Sequence, residues 1–271
     1  MLVFALTASM QTVHANLEFE PLTTKLLLPL PWTDPYPSCQ EWADELEQLL
    51  AFADLQGRLD DFLPRIKVGT GRHTQRDAAL NELRVAYFFD RSGIPISAWA
   101  PPGLAGRIGE FSVTAREGCA VFTEVKSRGW EGELSDADRL AGRTRFPKYL
   151  EGTGGAFANW QEVRKCIASD KTYPKFAPIQ ANLLVISDNL FVGLLDAEEQ
   201  MEIALYDQRS KYGGENGYFA SPAYNNLGGV AAFAAERRMG RAAVEYRMKV
   251  YGNRFAFAET SLPESIVSLS A

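Results

Sequence analysis

Residues 120–127 read Ala120-Val121-Phe122-Thr123-Glu124-Val125-Lys126-Ser127. Val121, Phe122 and Val125 are β-branched or aromatic, which favours a strand in the interior of a sheet. Strand side chains alternate, so Glu124 and Lys126 share one face while Val125 points into the opposite layer. Two charges on an interior strand are costly to bury unless they are paired or serve a chemical purpose. The plainer reading is a same-face ion pair on a solvated sheet, which contributes little.

Working outward, Glu110 to Ala115 forms a second β segment, joined to the first through Arg116-Glu117-Gly118-Cys119 as a hairpin. Ile94 to Trp99 reads as a strand and Pro101 to Gly109 as a loop. Thr74 to Ser92 has helical periodicity and stops at Gly93, which suits a left-handed cap. Within that helix Glu82 falls in register with Ala79, Ala86 and Phe89, so an acid interrupts a small or apolar stripe. It is either a site residue or a surface glutamate pairing with Arg84, Arg91 or another local base. Downstream, 128–155 is polar and glycine-containing, a candidate loop over a site. Phe157 to Ser169 is helical by period, and Asn182 to Ser187 is the continuous apolar run of a strand buried on both faces.

At the N-terminal side, prolines between Pro21 and Pro37 forbid a long helix. Ser38 and Glu41 form a capping box, and Trp42, Leu46, Leu49, Leu50 and Leu55 predict one amphipathic helix over about 39–62. Pro64 to Gly71, carrying Arg65 and Lys67, reads as an ordered connector. At the C-terminal side a helix is expected around Ala197 to Gln208, a Gly/Asn-rich connector over 213–229 and a helical patch near Val230 to Arg238. A β-hairpin closes the chain, with Val244, Tyr246, Met248 and Val250 alternating and Gly252-Asn253 turning into Phe255 and Phe257. The whole is expected to be α/β: one domain over 1–271, with a core at about 74–196, an N-terminal extension 1–73 and a C-terminal helical and β-hairpin extension 197–271.

Composition narrows the function classes. Of 271 residues 46% are hydrophobic and 23% charged, ordinary for a globular chain, and the net charge of -6 makes any nucleic-acid contact local. Small basic groups occur at Arg139, Arg143, Arg145 and Lys148, and at Arg237, Arg238 and Arg241. Two histidines, His14 and His73, and three cysteines without C-x-x-C spacing argue against a zinc site or a histidine-based triad. Cys119 and Cys166 read as small packing residues. The odd thiol count points to a reducing cytoplasm. The apolar start, Met1 to Ala15, imitates a signal peptide but lacks a basic leader and is better read as a strand of the fold. No stretch is apolar for long enough to span a membrane. Gly152 to Gly155 lacks the lysine and serine of a P-loop.

Two carboxylates on neighbouring strands, Glu110 and Glu124, form a hard-oxygen set suited to Mg²⁺ or Mn²⁺, to which the backbone carbonyl of Val125 can add. The adjacent Lys126 ammonium can orient a water and stabilise charge on a phosphate.

Gly109-Glu110-Phe111-Ser112-Val113 followed by Phe122-Thr123-Glu124-Val125-Lys126-Ser127, with Asn81-Glu82-Leu83-Arg84-Val85-Ala86 ahead of them, resembles the PD-(D/E)xK, or restriction-endonuclease-like, superfamily over about 74–196. Where that family usually has Pro-Asp, this chain has Gly109-Glu110, whose acid is one methylene longer and can still ligate. The resemblance implies a restriction-endonuclease-like core, a central mixed sheet flanked by helices. It also implies hydrolysis of phosphodiester bonds, DNA before RNA, by a Mg-activated water. Glu110 and Glu124 would hold metal, Lys126 assist the water and Glu82 complete the site. Ser127, Arg128, Gln161 and Lys165 are candidate phosphate contacts, each with a surface or loop role as its alternative. The expected partner is nucleic acid without a membrane, and a homodimer is compatible with it. The competing reading is a nuclease-like fold that binds nucleic acid or protein without cutting.

Overall fold

The computed structural model describes residues 40–67, 73–127, 159–168, 172–187, 198–206, 217–237 and 243–269. Its centre is a six-stranded mixed sheet in which spatial order follows chain order. The strands are β1 (Ile96–Trp99), β2 (Phe111–Thr114), β3 (Ala120–Ser127), β4 (Ala181–Ser187), β5 (Gly229–Arg237) and β6 (Val244–Gly252). β2 runs antiparallel to both β1 and β3; β3, β4 and β5 run parallel, and β6 returns antiparallel to β5.

Every residue of β4 is buried, with Leu183 and Val185 facing one layer and Leu184 and Ile186 the other. That is what an unbroken apolar run becomes when a parallel strand is covered on both sides. Three helices cover the first face: α1 (Gln40–Leu55), α2 (Leu59–Ile66) and α3 (His73–Arg91). Leu46, Leu49, Leu50 and Ala53 of α1 and Leu80, Leu83 and Phe89 of α3 meet Phe111, Val121, Val125 and Phe233 there. On the second face α4 (Asn159–Ala168) and α5 (Glu198–Leu205) bring Val163, Ile167, Met201 and Leu205 against Phe122, Leu184, Ile186 and Val230. A short helix, α6 (Glu264–Val267), follows β6. Among the described residues no helix is long and apolar enough to cross a membrane.

Several expectations need correcting. The single helix over 39–62 is two, because Gly57 turns left-handed at φ +65 and the chain restarts as α2. Pro64, Arg65 and Ile66 of the supposed connector thus belong to α2, with Pro64 inside the helix at the expense of one N–H. The helical patch expected near Val230 to Arg238 is, as far as Arg237, strand β5. Its alanines favour a helix in isolation, yet Ala231 and Phe233 bury into one layer and Val230 and Ala232 into the other. Packing on both faces overrides that propensity. β6 does not fold back at Gly252-Asn253. Asn253 instead donates its amide to the carbonyls of Tyr224 and Leu227 and accepts from Phe255 N–H, fixing a loop that leaves Phe255 and Phe257 exposed. Cys119 is exposed rather than packed. The sheet therefore runs on past residue 196, where an appendage was expected. The N-terminal strand, the capping box at Ser38 and the loop at 128–155 lie outside the described residues.

Candidate active site

The site grows from the register of β3. Its pairing with β2 ends at Phe111↔Thr123, while pairing with β4 continues to Ser127↔Ser187. From Glu124 onward β3 is therefore laddered on one side only among the described residues. Glu110 sits immediately before β2, not inside it, and the register carries it to the level of Glu124. A chain of close contacts fixes it there. Ala100, itself left-handed at φ 51, donates its N–H to the Glu110 carbonyl at 3.0 Å, and Gly109 N–H donates to the Pro101 carbonyl. Gly109 lies under the Phe122 ring, where an added Cβ would fall 2.6 Å from Cε2.

Glu124 is fully buried, with 0% exposure, and is flanked on the β4 side by Leu184. Such a carboxylate needs partners. It has two, both on one oxygen: Lys126 Nζ lies 2.5 Å and Lys175 Nζ 2.6 Å from Oε1. The other oxygen, Oε2, is buried with no hydrogen-bond partner among the described residues. The alternation argument for Glu124 and Lys126 thus holds, and the solvated ion pair does not describe them.

Glu82 reaches the same place from α3. It is buried and accepts from Arg65 of α2 at 2.6 Å, so its partner is neither Arg84 nor Arg91. Burial pushes its carboxyl up, and the Glu124 charge adds to this against the pull of Arg65 and Lys126. Glu110 is pushed up to about 7, first by burial and then by the charges of Glu82 and Glu124, with Lys175 and Lys126 opposing. Glu82, Glu110, Glu124, Lys126 and Lys175 therefore lie within one another's electrostatic reach.

A buried polar chain supports the strand from behind. Tyr246 O–H donates to Glu45 Oε1 at 2.7 Å, and Arg84 grips both Glu45 oxygens at 2.8 and 2.7 Å. Arg84 also donates to Asn81 Oδ1, and Asn81 donates to Ser127 Oγ at 3.0 Å. Ser127 is thus held by α3 beside Lys126. Arg128 and the side chains of Gln161 and Lys165 lie outside the described residues, as do the first basic group and, of the second, Arg238, Arg241 and the side chain of Arg237.

Two members of this cluster, Arg65 and Lys175, carried no sequence signal. Lys175 closes a 3-10 turn, Tyr173–Lys175, where Pro174 announces a turn and nothing more. Arg65 fell in what read as a connector.

The donor set suits a divalent cation in one respect: a buried, unpartnered carboxylate oxygen beside a second carboxyl is a strong ligand pair for a hard ion. Glu110, Glu124 and the Val125 carbonyl are the groups that would hold it. Among the described residues no three His, Cys, Asp or Glu side chains are grouped closely enough to hold an ion by themselves. Water or a phosphate oxygen would have to complete the shell. No family model, curated protein or solved structure matches this chain.

Proposed function

We propose that this chain is a restriction-endonuclease-like, divalent-cation-dependent phosphodiesterase acting on DNA. The observation that carries the reading is Glu124: fully buried, gripped on one oxygen by two lysines and bare on the other, beside Glu110 and Glu82. The order helix, three antiparallel strands, helix, parallel strand from α3 to β4 supports it, since the motif residues fall on those elements.

When bound between Glu110 and Glu124, Mg²⁺ or Mn²⁺ would supply Lewis-acid neutralisation of charge on the phosphoryl oxygens. The protein's own groups do the rest. Lys126, partly exposed and anchored on Glu124, donates from Nζ to the attacking water and to charge developing on the phosphate. Glu124, sealed from solvent, keeps that ammonium in one place. Arg65 holds Glu82 at the rim of the cluster, and Asn81 ties Ser127 Oγ to α3 behind the strand.

A second reading is favoured by the charge count. Three carboxylates, Glu82, Glu110 and Glu124, meet three cations, Arg65, Lys126 and Lys175, so the cluster can persist without metal as a binding module. Calorimetric titration with Mn²⁺ separates the two. The nuclease reading predicts heat at millimolar Mn²⁺ that Glu124→Gln abolishes; absence of heat from the unaltered protein favours the module.

A further inference from the structure

Lys175 raises a question the two-lysine geometry itself answers. Glu124 Oε1 receives two ammonium groups while, among the described residues, Oε2 has no hydrogen-bond partner. The two lysines also stand outside the acid: their side chains are 28% and 15% exposed for Lys126 and Lys175, against 0% for Glu124. A group arriving at Glu124 from solvent therefore meets the two ammonium groups before that acid, which favours an anion there, while Glu110 beside it is half-buried.

The mounting of Lys175 is rigid while its stem is not. Phe176 is fully buried with its ring edge-on to Phe122, and Asn226 Nδ2 donates to the Phe176 carbonyl. Tyr173 packs its ring 4.7 Å from that of Tyr224 and donates its O–H to the Ala223 carbonyl. The Lys175 carbonyl is pressed so near Gly103 that a Cβ there would lie 2.6 Å away. The backbone at 173–176 is thus pinned on both sides over the face that carries Glu124, and the four-carbon side chain alone is left to swing.

We propose that Lys175 is a phosphate-binding residue of the same site. Its ammonium rests on Glu124 Oε1 until substrate arrives and then moves to a non-bridging phosphodiester oxygen, leaving Lys126 on the carboxylate. This rests on the phosphodiesterase reading and adds to it a residue that the E-x-K motif does not contain.

The test uses the full chain and a short fluorescein-labelled DNA duplex, with binding followed by anisotropy in EDTA across a salt series. Lys175→Met is expected to weaken binding roughly 10-fold or more, as loss of a hydrogen bond to a charged group does. It is also expected to reduce the slope of log affinity against log salt by about 1, one phosphate contact's worth. In turnover with Mg²⁺ it should raise KM more than it lowers kcat, and Lys175→Arg should restore most of the binding and the slope. If Lys175→Met melts lower but binds with unchanged affinity and slope, the lysine only neutralises Glu124 and the proposal is overturned while the phosphodiesterase reading stands. If the unaltered protein neither binds nor cuts the duplex, both are overturned.

Discussion

Phe122 lies across Gly109 so closely that no side chain, however small, fits between them: a Cβ on residue 109 would fall 2.6 Å from Cε2 of the ring. Phe122 and Glu124 share a face of β3, and Gly109 directly precedes Glu110. The contact therefore sets the distance between the two acid-bearing segments. It also explains why residue 109 is a glycine.

Gly109→Ala should push Glu110 away from Glu124. Overpacking of this kind costs about 1–3 kcal/mol, and turnover on DNA should fall by roughly 10-fold or more, since small displacements of a reacting group are expensive. Adding Phe122→Leu should recover part of both losses. Unchanged melting and turnover in Gly109→Ala would show that the contact does not position the acid.

Glu45 and Arg84 form a buried pair, 4% and 1% exposed at their side chains, between α1 and α3. Removing one partner leaves an uncompensated buried charge, so Arg84→Met or Glu45→Gln should cost about 3–5 kcal/mol. A chain of this size should then melt on the order of 10 °C lower. Tyr246, whose hydroxyl is pushed up by burial and by Glu45, donates to the same carboxylate, so Tyr246→Phe should cost less than either. Equal melting of all three variants and the unaltered protein would count against the polar chain behind β3.

Stability should fall as pH rises through the weakly acid range. The folded chain holds the Glu110 proton up to about 7, against an ordinary carboxylate value of 4.5, because of burial and the neighbouring acids. A group with a raised folded-state pKa contributes stability that is complete below its unfolded value and lost as pH passes its folded value. Glu82 is shifted in the same direction. Melting temperature should therefore decline between about pH 4.5 and pH 7, by on the order of 10 °C at roughly 1.4 kcal/mol per pKa unit. Glu110→Gln should flatten that decline and melt higher than the unaltered protein near about pH 8. A melting curve that rises over this window, or that Glu110→Gln leaves unchanged, contradicts the crowding of the three acids.

The readable parts of this fold were those where local pattern and tertiary setting agree. Asn182 to Ser187 is apolar throughout and is buried throughout, and Gly93 ends α3 at φ +75 as a glycine cap does. The hairpin between β2 and β3 turns at Gly118, φ +83. Where the two conflict, the pattern misled. Ala231 and Ala232 look helical until a parallel neighbour and a second layer bury them, and the apolar spacing of Leu55 and Leu59 runs straight across the break at Gly57. In the site, Glu124 and Lys126 were legible because two-residue spacing on a strand is a geometric statement. Lys175 was not, since it meets Glu124 only through a fold that brings residues 51 positions apart together. Arg65 reaches Glu82 across 17 positions for the same reason.

The account turns on Lys126, and cleavage of a labelled DNA duplex in Mg²⁺ or Mn²⁺, compared between the unaltered protein and Lys126→Ala, tests it most directly. The expected result is metal-dependent cutting that EDTA abolishes and that Lys126→Ala lowers by about 100-fold or more, while far-UV dichroism and melting show the variant folded. Cutting that survives undiminished in Lys126→Ala, or no cutting by the unaltered protein with either ion, contradicts it.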